Sequence, residues 1–132
     1  MIINITRKTA IKEVQRKFNI AFPFLKIEFH DQSSDKKGED ENWYEPGTKL
    51  FEVAGKKQSG WVILQTGYTS LEFQQLFIER FGLYASIFRK ENDHWIEISD
   101  TDINTLEELN RVGRRFIEKN RDRFWREREV LL

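Results

Sequence analysis

The sequence predicts an α+β fold in which three or four helices pack on one face of a four-stranded sheet, a two-layer sandwich. Three observations carry that expectation. Thr69-Ser70-Leu71-Glu72 and Thr105-Leu106-Glu107-Glu108 are capping boxes. In each, the threonine hydroxyl accepts from the amide three residues on while the glutamate reaches back. Between the two helices so opened, Leu83–Arg89 and His94–Ile98 alternate apolar and polar residues about the polar turn Lys90-Glu91-Asn92-Asp93. That pattern is an antiparallel hairpin.

Taken in order, Ile5 to Phe22 reads as an amphipathic helix with Thr6 or Thr9 as its cap and Ile11, Val14, Phe18 and Ala21 on the apolar face. Pro23 ends it. Phe24 to His30 sets Leu25, Ile27 and Phe29 against Lys26, Glu28 and His30, a strand with one buried face. From 31 to 45 the chain is polar, acidic and without period, and is expected to be a mobile loop. Pro46-Gly47 signals a turn. Residues 48–54 fit a short helix closed by Gly55, preferred here over a strand through Leu50-Phe51-Glu52-Val53. Trp61-Val62-Ile63-Leu64-Gln65 is a continuous apolar run, the pattern of a central strand covered on both faces.

The helix opened by Thr69 places Phe73, Leu76, Phe77 and Phe81 on one stripe, and Gly82 closes it by taking the left-handed conformation. The helix opened by Thr105 aligns Leu106, Leu109, Gly113, Phe116 and Ile117. Gly113 costs about 1 kcal/mol relative to alanine there, so its expected use is to let another backbone come close. Pairs such as Glu118 with Arg114 or Arg121 extend this helix at about 0.2–0.5 kcal/mol each, into a basic tail over 120–132. No internal repeat is evident. The order of elements suits a sandwich related to the ferredoxin-like plait without its last strand.

Phe81-Gly82-Leu83, Phe88-Arg89-Lys90, Trp95-Ile96-Glu97, Thr101-Asp102, Thr105-Leu106, Asn110 and Gly113 together resemble a pattern shared by a group of small bacterial proteins with no assigned activity. The resemblance covers roughly the C-terminal half. It supports the same elements and implies no functional residue.

At 132 residues the chain makes one domain, able to bury roughly two-thirds of the surface it exposes unfolded. It has no cysteine, which excludes disulfides, thiolate metal sites and cysteine nucleophiles. The opening Met1-Ile2-Ile3-Asn4-Ile5 is too short for a signal peptide core, and no apolar run approaches membrane length, so the expectation is a soluble, cytoplasmic protein with no membrane partner. Its 22 basic and 22 acidic residues balance, but unevenly along the chain. Residues 1–17 and 111–129 are each net +4, and 31–45 is net −4.

No nucleotide fingerprint and no metal-ligand spacing occurs, so no cofactor and no metal is expected. Asp100-Thr101-Asp102 is the sharpest polar cluster, offering oxygen ligands or a base beside a helix start. Turn and cap preferences explain the same residues and are the favoured reading. Tyr84, Phe88 and Trp95 fall off the Leu83/Ala85/Ile87 face. They form either a binding platform or a surface covered by the N-terminal helix, the tail or a second subunit, with covering favoured. Arg123-Phe124-Trp125-Arg126 combines residue types that anchor interfaces, and Arg123, Trp125 and Arg126 are candidates for binding. The expectation is a small non-catalytic interaction or assembly module, binding itself or another protein. Nucleic acid held by the basic ends and sheet aromatics is the alternative, and an enzyme using Asp100, Asp102 and His94 comes third.

Overall fold

The computed structural model describes residues 1–31 and 43–117. Among them the elements run β1 (Ile2–Ile5), α1 (Ile11–Ala21), β2 (Leu25–His30), α2 (Leu50–Val53), β3 (Gly60–Ile63), α3 (Ser70–Phe81), β4 (Tyr84–Glu91) and β5 (His94–Glu97). A further helix, α4, occupies 106–117. Most of the expected acidic loop and the whole basic tail fall in 32–42 and 118–132, outside the described residues.

The capped helices form as predicted. Thr69 Oγ1 accepts from Glu72 N at 3.2 Å, Glu72 Oε1 accepts from Thr69 N at 3.2 Å, and Gly82 closes α3 at φ +58°. Phe73, Phe77 and Phe81 are buried along the stripe. Thr105 Oγ1 accepts from Glu108 N at 3.2 Å, but the Glu108 carboxylate bonds back to the Thr105 hydroxyl rather than to its amide. Residues 50–53 are helical and Leu50 is fully buried.

Three expectations are corrected. Ile2–Ile5 is a strand, and α1 starts only at Ile11. Neither threonine caps it: Thr9 Oγ1 accepts from Thr6 N within the preceding turn. The first amides of α1 go instead to the 46–48 turn, Ile11 N to Thr48 O at 2.9 Å and Lys12 N to Pro46 O at 2.8 Å. The single four-stranded sheet is in fact two antiparallel sheets, β1-β3 and β2-β4-β5. And β3 is not central, because its one partner among the described strands is β1.

A repeat invisible in residue identities explains this division. The buried positions Ile3, Ile5, Val14, Phe18 and Phe22 recur 59 residues later as Val62, Leu64, Phe73, Phe77 and Phe81. After Pro23 the offset is 58, matching Leu25, Ile27 and Phe29 with Leu83, Ala85 and Ile87. Equivalent strands pair with each other, β1 with β3 and β2 with β4. Their registers are symmetric about Ile3↔Val62 in one sheet and Glu28↔Ser86 in the other. The loop contacts follow suit: Leu50 N donates to Thr9 O at 2.9 Å, and Leu106 N to Tyr68 O at 2.8 Å. Two β-α-β units, each finished by a helix, are thus related by an approximate two-fold axis. An antiparallel pair is the arrangement a two-fold produces from two copies of one strand.

Helix α1 and the backbone at Tyr44 also close the edge of β2. Gln15 Nε2 donates to Ile27 O at 3.0 Å, Asn19 Nδ2 to Leu25 O at 3.0 Å, and Tyr44 N to Phe29 O at 2.8 Å. Carbonyls that would otherwise template another strand are consumed by the chain itself.

On the far side, α4 docks against Phe24. Asn110 Oδ1 accepts from Phe24 N at 2.8 Å. One turn on, a Cβ at Gly113 would lie 2.8 Å from Phe24 Cβ, which bears out the close approach expected there.

Candidate functional site

Alternation along β2, β4 and β5 puts Lys26, Glu28, His30, Tyr84, Ser86, Phe88, Lys90, Trp95 and Glu97 on the face opposite the core. The registers bring the candidate aromatics together: His30 stands across from Tyr84, Lys26 from Phe88, and Lys90 from Trp95. Tyr84, Phe88 and Trp95 are half-buried. Among the described residues their cover comes from Trp43 and from lysines of the face itself. Trp43, which bridges to His30, meets the His30 ring edge-on at 5.1 Å and the Phe88 ring at 5.7 Å. Lys26 Nζ sits 5.0 Å from the Phe88 and Trp95 ring centroids, and Lys90 Nζ sits 5.2 Å from Trp95. A cation over an indole is held by the ring quadrupole, so these ammonium groups occupy surfaces on which a base would have to stack.

Beneath Trp43 lies a polar pair. Ser86 Oγ is 3.2 Å from His30 Nε2, and both residues are more than nine-tenths buried. His30 Nδ1 is 2.9 Å from Asp31 O. A carbonyl only accepts, so Nδ1 carries a proton, and in the neutral ring Nε2 is then the acceptor and the Ser86 hydroxyl donates. The residue types are those of a nucleophile and its base, but the pair is closed from solvent. Its work is to satisfy two buried polar groups on the outer face near the end of β2. Nearby, Tyr44 has its phenol raised above its ordinary value of 10.0, chiefly by burial and then by the Asp31 carboxylate.

The Asp100-Thr101-Asp102 cluster is a turn. Asp102 Oδ1 accepts from Asn104 N at 2.9 Å, and the Ser99 and Thr101 hydroxyls share a bond of 2.8 Å. Among the described residues no group of three or more His, Asp or Glu side chains is placed to hold a metal ion. His94 is exposed at the start of β5. Arg123, Trp125 and Arg126 lie outside the described residues.

A different surface gathers several of the exposed large apolar side chains of the described residues. In the β1-β3 ribbon, Ile3, Ile5, Val62 and Leu64 face the core, and the opposite face carries Ile2, Asn4, Trp61 and Ile63. Ile2 is 55% exposed, Trp61 57% and Ile63 40%, with Met1 alongside at 54%. Ile2 stands directly across from Ile63 and Asn4 from Trp61. The clue was present in the unbroken run Trp61-Val62-Ile63-Leu64, which reads as a strand with two covered faces. Among the described residues only one face is covered.

No family model matches the chain, and no curated protein and no solved structure matches it. Among the described residues, no helix is long and apolar enough to cross a membrane.

Proposed function

We propose that the chain is a small non-catalytic interaction module that associates with a second copy of itself through the outer face of the β1-β3 ribbon. The observation that carries the reading is the cluster of Ile2, Trp61 and Ile63, three large apolar side chains on one face that no other described residue covers. Scattered apolar residues on a surface need no explanation, but a contiguous set on a sheet face marks a contact site. The aromatic face of the other sheet is the weaker candidate, because Trp43, Lys26 and Lys90 already shield it.

The size of the patch sets the strength. A tryptophan presents up to about 250 Å², and at the observed exposures Met1, Ile2, Trp61 and Ile63 offer roughly 400 Å² per chain. Doubled across a two-fold, that falls below the roughly 1,200 Å² of a standard stable interface. The contact is therefore weak and concentration-dependent, with a dissociation constant on the order of micromolar.

Light scattering on size-exclusion peaks, loaded at high concentration, tests the choice of face. Trp61→Glu should shift the protein to monomer mass, and Trp95→Glu should leave the dimer in place. Dimers that survive Trp61→Glu, or are lost only with Trp95→Glu, would overturn the assignment.

A further inference from the structure

A second surface, separate from the ribbon face, is defined by charge. The turn after β1, the loop before β3 and Phe51 of α2 flank a shallow, solvent-open cleft of about 550 Å³ lined by Thr6, Arg7, Lys8, Phe51, Lys57 and Ser59. That volume lies within the range of small-molecule sites. Three of the six residues are cations and none is an acid. Among the described residues, no carboxylate is within ion-pair distance of Arg7, Lys8 or Lys57. Lys49 Nζ donates to Lys8 O at 2.9 Å, which brings a fourth ammonium to the rim. The Thr6 hydroxyl accepts from Lys8 N at 3.2 Å, so its own proton is free to donate outward.

The internal repeat supplies a control. Through the 59-residue offset, the turn Thr6-Arg7-Lys8 corresponds to Gln65-Thr66-Gly67, which makes the same link from strand to helix with no charge at all. The fold does not require cations in this turn. Gathering three of them beside Lys49 costs repulsion that an anionic ligand would relieve.

Phe51 adds the second element of the recognition. It is half-buried, supported by the core, and forms an apolar wall of an otherwise hydrophilic cleft. A cationic rim with one aromatic wall suits a ligand that joins a phosphate to a planar ring. We propose that this cleft binds a nucleotide, with Arg7, Lys8 and Lys57 on the phosphate and Phe51 against the base.

The same chemistry arrives either as a free nucleotide or as one unit of a single strand. A neighbouring cleft of about 350 Å³ shares Ser59 and brings Lys56 and Arg80 to the path, with Glu79 the one acid among its lining residues. Lys56 Nζ donates to Glu79 O at 2.7 Å and Arg80 to Trp61 O, so both heads are held by neutral carbonyls and keep their charge available. A second phosphate therefore has a place to go, which favours the single strand.

Fluorescence anisotropy of a labelled oligothymidylate, with thymidine monophosphate and inorganic phosphate as competitors, tests this. The wild-type chain should bind at low salt, with a log–log salt slope of about −2 to −3 for three to four phosphates. Arg7→Glu/Lys57→Glu should weaken binding at least about ten-fold and flatten that slope. The same change of charge elsewhere, Arg16→Glu/Arg115→Glu, should weaken it less than about three-fold if the cleft is specific. Phe51→Leu, checked by its melting curve, should cost about five-fold or more with the slope unchanged. Monophosphate competing as strongly as the oligonucleotide would identify the free nucleotide as the ligand and sustain the site. No binding at low salt, equal losses in both charge-reversed pairs, or inorganic phosphate competing as well as the nucleotide would overturn the proposal.

Discussion

Replacing Gly113 by alanine sets two effects of opposite sign against each other. Helix propensity alone predicts a gain of about 1 kcal/mol, since glycine in a helix interior is that much worse than alanine. The geometry predicts a loss. The added Cβ would lie 2.8 Å from Phe24 Cβ, 3.4 Å from Phe24 O and 3.5 Å from Lys90 O. The first of these is closer than real Cβ contacts come, and it is made to the first side-chain atom of Phe24, which moves only with its backbone. Helix α4 must therefore shift away, and the shift pulls on the 2.8 Å bond from Phe24 N to Asn110 Oδ1. Overpacking costs about 1–3 kcal/mol, and a weakened hydrogen bond adds up to about 1 kcal/mol. After the propensity gain the net is a destabilisation of up to about 3 kcal/mol, centred at about 1.5 kcal/mol and read as a lower urea midpoint at unchanged slope. Gly67→Ala is the comparison, because a Cβ there meets nothing within 4 Å and φ is not positive. It should be neutral or slightly stabilising. A midpoint for Gly113→Ala at or above that of wild type would refute the close packing of α4 on Phe24.

Other consequences can be checked on the same unfolding curves. Asn110→Ala should cost about 1–2 kcal/mol by leaving the Phe24 amide unpaired, and its effect should not add to that of Gly113→Ala, because both act on one contact. Ser86→Ala removes the donor to His30 Nε2 and should cost about 1–2 kcal/mol with no loss of the fold. Tyr44 gives a pH signature. Its folded phenol is raised above the unfolded value, so the stability it lends is complete below about pH 10 and is lost as pH rises through the higher folded value. Tyr44→Phe should flatten the fall in stability between about pH 9 and about pH 11, and an unchanged fall would show that Tyr44 does not cause it.

What could be read from the chain was what local chemistry dictates. Thr69 with Glu72, Gly82, the alternation through Leu25, Ile27 and Phe29, and the polar turn before His94 each act over a few residues, and each formed. The misreadings were matters of tertiary pairing. Ile3 and Ile5 alternate like a strand, but four residues are too few to outweigh the helical stripe that begins at Ile11. The repeat lies in the spacing of buried positions, and the one-residue offset at Pro23 breaks it, so residue identities conceal it. Several residues of the C-terminal pattern have structural roles: Thr105 caps, Leu106 fills the core, Asn110 holds Phe24, and Gly113 admits it. The candidate sites were harder still. Trp43 comes from a segment with no period, and the cleft at Arg7, Lys8 and Lys57 joins residues some fifty positions apart.

If the face of Ile2, Trp61 and Ile63 is a self-contact, the mass of the wild-type chain depends on its concentration, which sedimentation equilibrium measures. From about 1 to about 100 µM, the range in which a small interface of this kind exchanges partners, the weight-average mass should climb from that of one 15.9 kDa chain toward that of two. A mass that stays at one chain throughout would rule out self-contact through this face.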